Sequence, residues 1–254
     1  MLELDHVCVC YGDVSALEDI SLSIEPGTLL AVVGPNGSGK STLLRAACGL
    51  LPCAAGSIRE DGEALTALTP KQIAQRVSYL PQSRDVPDIT AERMVLHGRF
   101  PHLGYPRYIR RIDREIAARS LEAVGGEALS HRSLRELSGG QRQRVYIAMA
   151  LAQETGTLLL DEPTTYLDIA YQYQTARLLR DLAGQGKAVA AVMHDLPMAF
   201  RTADWIVVLD QGRIVARGTP EEVFQSGVLP AVFGVSMEQV ETPNGTRYFC
   251  GEVV

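Results

Sequence analysis

A glycine-rich segment near residue 40 carries the residues with the clearest chemistry in this sequence. It reads Gly34, Pro35, Asn36, Gly37, Ser38, Gly39, Lys40, Ser41, which fits the pattern G-x-x-x-x-G-K-[ST]. Its glycines let backbone N–H groups curl around a polyphosphate, and the helix expected after it offers a positive N-terminal end. Lys40 would reach the β- and γ-phosphates, and the Ser41 hydroxyl would bind Mg²⁺. The segment therefore predicts a phosphate-binding loop rather than a turn with a solvated lysine.

Two adjacent carboxylates follow an apolar run later in the chain. Asp161 and Glu162 come directly after Thr157-Leu158-Leu159-Leu160. Asp161 is placed to hold Mg²⁺ directly or through water, and Glu162 is the candidate to orient and deprotonate an attacking water. Paired acids after a strand are common in solvated loops, so this interpretation depends on the phosphate loop.

A second candidate anion site precedes another helix. The segment consists of Leu137, Ser138, Gly139, Gly140 and Gln141. Ser138 is a good N-cap, and the glycines allow close approach of a ligand to the backbone. A nucleotide held by the first loop needs no second helix end from the same chain, but in a two-fold dimer each segment could cap the partner's nucleotide. A plain N-cap with a flexible glycine pair is the alternative.

The elements that must position these residues follow from the apolar pattern. Continuous apolar runs predict buried strands at 29–33, 77–80, 157–160 and 188–192, and helical patterns lie at 41–50, 114–124, 141–153 and 169–183. This alternation indicates an α/β core with a mainly parallel sheet. The runs are followed by the loop before Lys40, by Gln82, by the acidic pair and by His194. Because ligands bind at the carboxyl ends of parallel strands, we expect these four sites to meet in one pocket rather than to stay apart.

The rest of the chain predicts three further parts within a single domain over 1–254. The first sixty residues indicate a small antiparallel sheet beside the core. We assign the nucleotide-binding core together with this sheet to residues 1–84 and 138–225. Residues 85–137 carry helical periodicity and predict a helical insert. Residues 226–254 form a C-terminal extension with a hairpin expected around Asn244-Gly245.

Composition excludes several classes of protein. The chain has 254 residues, 46% hydrophobic and 21% charged, with a net charge of −6, which argues against nucleic-acid binding through phosphate contacts. No apolar run approaches the ~18 residues that span a bilayer, and the acidic N-terminus is unlike a secretory signal. Five cysteines without a CxxC pair fit reduced thiols. We therefore expect a compact intracellular protein.

Over nearly its whole length the chain resembles the ATP-binding subunits of ABC transporters. The matching motifs, in the family's order, are a Walker A loop at 34–42, a Q-loop Gln82, the signature Leu137 to Gln141, a Walker B strand ending at Asp161 with Glu162, a D-loop Asp168 and a switch His194. The resemblance implies a P-loop NTPase core with an N-terminal antiparallel β-subdomain and an inserted helical subdomain. It also implies an ATPase that closes as a homodimer around two ATP with Mg²⁺.

The resemblance further implies roles for single residues. Gln82 would sense the γ-phosphate and Mg²⁺ and link them to a membrane partner, His194 would clamp the γ-phosphate, and Asp168 would act across the dimer. Thr42 completes the Walker A loop. Tyr11 stands where the family places an aromatic that stacks on adenine, although an aromatic packed in an edge strand is an equal alternative.

The local sequence is similar to that of importer subunits for siderophores, haem and cobalamin in three stretches, 98–102, 147–155 and 163–170. This implies a peripheral subunit at the cytoplasmic face of a bacterial-type membrane, bound to permease subunits and acting indirectly with an extracytoplasmic solute-binding protein. Alternatives are another ABC importer or an exporter, or a soluble ABC ATPase acting on nucleic acid or ribosomes, although the acidic balance and single cassette disfavour the latter. A P-loop kinase or GTPase leaves Leu137 to Gln141 unexplained.

The helical insert is the expected docking surface, because it lies between Gln82 and Ser138. Its candidate contact residues are Met94, Val95, Arg99, Phe100, Leu103, Tyr105, Arg107, Tyr108, Arg110 and Arg111. Aromatic residues and arginine are enriched at binding hot spots. For Met94 and Val95, burial in the insert's own core is an equal alternative.

Overall fold

A six-stranded, mainly parallel sheet forms the centre of the computed structural model, which describes residues 1–82, 85–165, 167–243 and 245–252. The strands are β1 (Leu2–Tyr11), β2 (Val14–Ile24), β3 (Leu29–Val33), β4 (Ala55–Glu60), β5 (Glu63–Ala64), β6 (Val77–Leu80), β7 (Thr157–Asp161), β8 (Ala188–Val192), β9 (Trp205–Asp210), β10 (Arg213–Gly218), β11 (Val235–Thr242) and β12 (Gly245–Glu252). The helices are α1 (Lys40–Ala47), α2 (Pro70–Ala74), α3 (Ala91–His97), α4 (Arg111–Ala123), α5 (Gly139–Ala152), α6 (Ile169–Gly184), α7 (Leu196–Thr202), α8 (Pro220–Gln225) and α9 (Val228–Phe233).

The central sheet has the order β10-β9-β3-β8-β7-β6. Strands β3, β7 and β8 are buried at every residue, which explains their continuous apolar runs, since side chains on both faces of a covered parallel sheet lie in a core. The α/β prediction and the four predicted strands are confirmed. β10 pairs antiparallel with β9 at the edge.

A second sheet of order β2-β1-β4-β5 is antiparallel throughout. Its apolar side chains share a buried cluster with α1 and one face of the central sheet. The predicted antiparallel sheet at the N-terminus is therefore confirmed, and it leaves β1 and β2 beside the loop that precedes α1.

The segment between Gln82 and Ser138 is helical in its described part, with α3, α4 and three short 3₁₀ turns. Helices α3 and α5 approach so closely at Gly98 that a Cβ there would lie 2.1 Å from the Met149 carbonyl oxygen. Met94, Val95 and Leu103 are buried. Met94 and Val95 belong to the hydrophobic core, which confirms the alternative given for them, whereas Leu103 is buried but lines the cleft next to Phe100.

Arg99 also lies inside the protein, with 5% of its surface exposed. Its Nε donates to Asp113 Oδ1 at 3.2 Å, and its Nη1 donates to Glu154 Oε2 at 2.9 Å and to the Ala152 carbonyl at 2.7 Å. Asp113 is fully buried, and Arg110 contacts its other oxygen at 3.1 Å. The prediction of Arg99 as a surface contact is wrong, because its guanidinium joins the helical insert to the end of α5.

Replacing Arg99 by Leu should lower the free energy of unfolding by about 3 kcal/mol, because it leaves the buried Asp113 carboxylate with one partner fewer. Arg93→Leu is the matched control, since Arg93 is an exposed arginine of the same insert, and a surface change typically costs within ~0.5 kcal/mol. Urea unfolding of both variants measures the difference. Equal midpoints would show that the Arg99 ion pairs contribute nothing to stability.

The C-terminal residues fold back on the core as the antiparallel hairpin β11–β12. The Tyr248 ring lies between Phe200 at 5.1 Å and Phe224 at 5.6 Å, measured between ring centroids. The predicted strands are confirmed, although Asn244 of the expected turn lies outside the described residues. No helix in the described part of the chain is both long and apolar enough to cross a membrane.

Candidate functional site

Four adjacent strands of the central sheet deliver the predicted polar residues to one edge. In the order β3, β8, β7 and β6 they are followed by the glycine-rich loop, His194, Glu162 and Gln82. A cleft of about 630 Å³ opens there, lined by Val14, Ser15, Ala16, Asn36, Gly37, Ser38, Gly39, Lys40, Ser41, Thr42, Gln82, Glu162, Gln211 and Gly212. The expected convergence is therefore present in the fold.

The glycine-rich loop needs glycine at two positions for geometric reasons. A Cβ on Gly34 would lie 2.1 Å from the Leu209 carbonyl oxygen. Gly39 has φ +104°, and a Cβ there would lie 2.8 Å from the Ala16 carbonyl oxygen. The loop is thus wedged between β9 and β2, and the N-terminus of α1 faces the cleft.

Lys40 is the cation of this loop, and only 6% of it is exposed. Its Nζ donates to the carbonyl oxygens of Gly34 and Pro35, each at 2.8 Å. Burial lowers the pKa of Lys40, while the nearby charges of Glu162 and Asp161 oppose that effect. The ammonium group is therefore held inside the loop, where phosphate oxygens would meet it.

Asp161 is a buried carboxylate with 2% exposure and one oxygen that lacks a hydrogen-bond partner, Oδ1. Its Oδ2 accepts from the Tyr79 hydroxyl at 3.3 Å, and Ser41 also hydrogen-bonds to this carboxylate. Burial raises the pKa of Asp161 despite these hydrogen bonds. The orphaned Asp161 oxygen is a hard donor, as are the Ser41 hydroxyl and the Gln82 amide oxygen, whose residues line the cleft. This set of donors fits Mg²⁺.

Glu162 adopts φ 53°, a left-handed conformation that is strained for a non-glycine residue. Its Oε1 lies 2.5 Å from His194 Nε2, and its Oε2 accepts from the Thr165 hydroxyl at 3.0 Å. Burial alone would raise the pKa of Glu162, but hydrogen bonds from His194, Thr165 and Gln82 lower it below its ordinary value. The carboxylate is therefore ionised at neutral pH and able to accept a proton.

The second candidate anion site, from Ser138 to Gln141, begins helix α5 and does not line this cleft. Gln141 N donates to Ser138 Oγ at 3.2 Å, and Ser138 N donates to Gln141 Oε1 at 3.1 Å, which is a capping box. Asp168 caps α6 by accepting from Tyr171 N at 3.0 Å. The lining of the cleft therefore contains none of the five residues predicted here, which are Ser138, Gly139, Gly140, Gln141 and Asp168.

Tyr11 ends β1 and is 47% exposed. Its partner in the strand register, Val14, lines the cleft, whereas Tyr11 does not. The aromatic ring is therefore near the rim of the cleft and is not packed in the core of the sheet.

Three residues of the site were not singled out by the sequence analysis as functional. Thr165 and Tyr79 hydrogen-bond to the paired acids, and the buried Gln143 donates from Nε2 to the Pro163 carbonyl at 2.8 Å. Thr165 could be found from its spacing, since a hydroxyl three residues after Glu162 can fold back in a turn. Tyr79 and Gln143 act through tertiary contacts that no local pattern indicates.

A parallel sheet with a glycine-rich loop, a buried acid and a Glu–His pair at its strand ends defines a P-loop nucleoside triphosphatase. The family model described as ABC transporter matches residues 17–165. The chain belongs to this family and is an ABC-transporter ATPase.

The chain is similar to the ferric enterobactin transport ATP-binding protein FepC of Escherichia coli K12, with 40% identity over 241 residues, covering 94% of this chain and 89% of that protein. Among solved structures it is similar to a metal-chelate type ABC transporter in an inward-facing conformation, with TM-score 0.86 and 28% identity, covering 100% of this chain and 97% of the other. It is also similar to a dimeric ATP-binding cassette bound to ADP and Pi, with TM-score 0.77 and 28% identity, covering 87% and 99%.

Proposed function

We propose that this chain hydrolyses ATP as a homodimer and thereby drives import of a metal chelate through a separate membrane permease. The solute class is that of iron siderophores, haem or cobalamin. The observation that carries the ATPase part is the pairing of Glu162 with His194 beside the orphaned Asp161 oxygen and Lys40. Similarity to FepC and to a metal-chelate transporter supports the import part.

In this proposal the loop N–H groups and Lys40 bind the β- and γ-phosphates, and Ser41, Asp161 and Gln82 hold Mg²⁺. The metal ion would neutralise charge that develops on the phosphate oxygens. Glu162 is ionised and accepts the proton of the attacking water at a carboxylate oxygen. His194 holds that carboxylate through Nε2 and contacts the γ-phosphate.

Dimerisation accounts for the residues that lie away from the cleft. The start of α5, from Ser138 to Gln141, and Asp168, which caps α6, do not line the cleft of their own chain. In a two-fold dimer these groups would cover the nucleotide of the partner, giving two equivalent sites. The similarity to a dimeric cassette with bound ADP and Pi supports this arrangement. Thr42 would line the phosphate site and Tyr11 would stack on adenine.

The permease would dock on a smaller part of the helical insert than the sequence indicated. The exposed large apolar side chains in the described part of the insert are Phe100 at 38%, Tyr105 at 100%, Tyr108 at 75%, Ile109 at 39% and Ile112 at 45%. Arg107 lies over the Phe100 ring, 5.4 Å from its centroid, beside a cleft of about 380 Å³. Exposed tyrosines next to arginine suit a protein partner. We propose a peripheral position at the cytoplasmic face of the membrane, with an extracytoplasmic solute-binding protein acting indirectly.

Changing both Tyr105 and Tyr108 to Asp should shift the chain from the membrane fraction to the soluble fraction of its native cells, because it places charges in the proposed contact. The control is Val240→Asp with Phe249→Asp, two exposed apolar residues of the C-terminal hairpin at 44% and 54% exposure. Quantitative blotting of both fractions measures the effect. Membrane recovery that is equal for the two double variants would place the docking surface elsewhere.

Import is tested by uptake in cells that lack this chain. Ferric siderophore, hemin and cobalamin, each labelled, are compared in cells complemented with the wild-type chain or with the Glu162→Gln variant. We expect uptake of one solute to be restored by the wild type alone. If the wild type restores none of the three, the proposed solute class is wrong.

A further inference from the structure

A cleft of about 500 Å³ lies between α6 and α7, away from the glycine-rich loop. Its lining residues are Tyr173, Arg177, Arg180, Arg201 and Thr202. Every charged side chain in this lining is an arginine. The charges of this concave surface are therefore all positive, on a chain whose net charge is −6.

The local structure holds two of these arginines in place. Tyr173, Arg177 and Arg180 are spaced i, i+4 and i+7, so they share one exposed face of α6. Arg180 Nη1 donates to the Thr202 carbonyl at 3.1 Å. The Arg201 guanidinium lies over the Tyr173 ring, 5.1 Å from its centroid, and so it is directed across the cleft from α7.

Acidic partners do not neutralise this surface. Within the described residues, Arg177, Arg180 and Arg201 have no carboxylate oxygen within 4.0 Å. Asp181 is exposed on α6, and Asp204 beyond α7 instead accepts from Leu29 N at 2.8 Å. Like charges on one helix face repel each other, and an anion that bridges them would remove that cost.

We propose that the α6–α7 cleft is an effector site for a small soluble ligand that carries clustered phosphate charges. Guanidinium groups match phosphate oxygens in bidentate geometry, and three arginines line this cleft. The volume lies in the range of sites for small ligands. This inference goes beyond ATP hydrolysis and transport, and it does not depend on the imported solute.

A ligand bound in the cleft would affect the ATP site through the residues that begin these two helices. Asp195 caps α7 and directly follows His194, and α7 has seven residues, or about 10 Å. Asp168 caps α6. A ligand that bridges α6 and α7 would therefore restrict movement of His194 relative to Asp168, so effector binding and ATP hydrolysis become coupled.

The binding test uses inorganic tripolyphosphate as the probe, with calorimetry in a Lys40→Ala background that weakens the glycine-rich loop as a competing site. Arg177→Gln with Arg180→Gln should weaken binding at least about tenfold. The matched control is Arg59→Gln with Arg132→Gln, which removes the same charge from two arginines that, like Arg180, donate to backbone carbonyls. We expect less than a twofold change in this control. Equal affinities of the two double variants, or an absence of binding, would overturn the site.

The effector role is tested with Lys40 intact. Tripolyphosphate added at constant free Mg²⁺ should change the ATP hydrolysis rate of the wild-type chain at least twofold more than that of the Arg177→Gln, Arg180→Gln variant, since competition at the ATP site is common to both. Identical responses overturn the effector role. Phosphatidylglycerol and phosphatidylcholine vesicles distinguish a lipid source, because arginine-dependent sedimentation with the former, without tripolyphosphate binding, would overturn a soluble ligand.

Discussion

Replacing Glu162 by Gln is expected to slow ATP hydrolysis about 10²–10⁴-fold, the contribution of a general base. The amide has the shape of the carboxylate and still lies beside His194 and Thr165, which are 2.5 Å and 3.0 Å from the two carboxylate oxygens of Glu162. It cannot accept a proton from water at neutral pH. ATP affinity should therefore change little, and phosphate release under saturating Mg-ATP measures the loss.

The same variant separates binding from turnover. If the dimer closes on ATP and reopens after hydrolysis, Glu162→Gln should accumulate as a dimer in size-exclusion chromatography with ATP. Glu122→Gln, an exposed acid on α4, is the control and should hydrolyse ATP at the wild-type rate. Wild-type turnover by Glu162→Gln would mean that another group is the base.

The strand ends could be predicted because a buried parallel strand has a distinctive sequence. In β7, for example, an unbroken apolar run ends at a charged residue, and no solvated strand would have that pattern. Once several such strands are assumed to be parallel, their polar ends must share an edge. This rule alone predicts that Lys40, Gln82, Glu162 and His194 lie together. The edge strand β10 alternates between exposed and partly buried residues up to its buried last residue. It therefore has no continuous apolar run that would predict it.

Burial of polar side chains is what the sequence could not reveal. Arg99 and Arg107 stand eight residues apart in one segment, yet Arg99 is 5% exposed and bonded to Asp113, whereas Arg107 covers the exposed Phe100 ring. The difference depends on Asp113, which α4 of the same insert supplies, and on Glu154, which lies beyond α5. Interpreting both arginines as contact residues used residue type alone, and type does not determine which guanidinium finds a buried carboxylate.

Lys40→Ala should weaken ATP binding about 100-fold in the presence of Mg²⁺. Hydrogen bonds to charged groups contribute roughly 1.5–3 kcal/mol each, and about 1.4 kcal/mol corresponds to a tenfold change. In this structure the Lys40 ammonium donates to the Gly34 and Pro35 carbonyls, so part of its value is to hold the loop in shape.

Loss of loop shape and loss of phosphate contact can be separated with a second, partly buried lysine. Lys187 donates to the Thr155 carbonyl at 2.6 Å, and burial lowers its pKa as it lowers that of Lys40. Lys187→Ala removes a comparable backbone contact at a distance from the cleft, so it should lower stability without a matching loss of ATP affinity. Equilibrium binding of a fluorescent ATP analogue, with thermal unfolding measured in parallel, gives both quantities. Removal of an ammonium group that binds the γ-phosphate must lower the affinity for ATP. If Lys40→Ala binds ATP as tightly as the wild type, the glycine-rich loop does not use this lysine to hold phosphate.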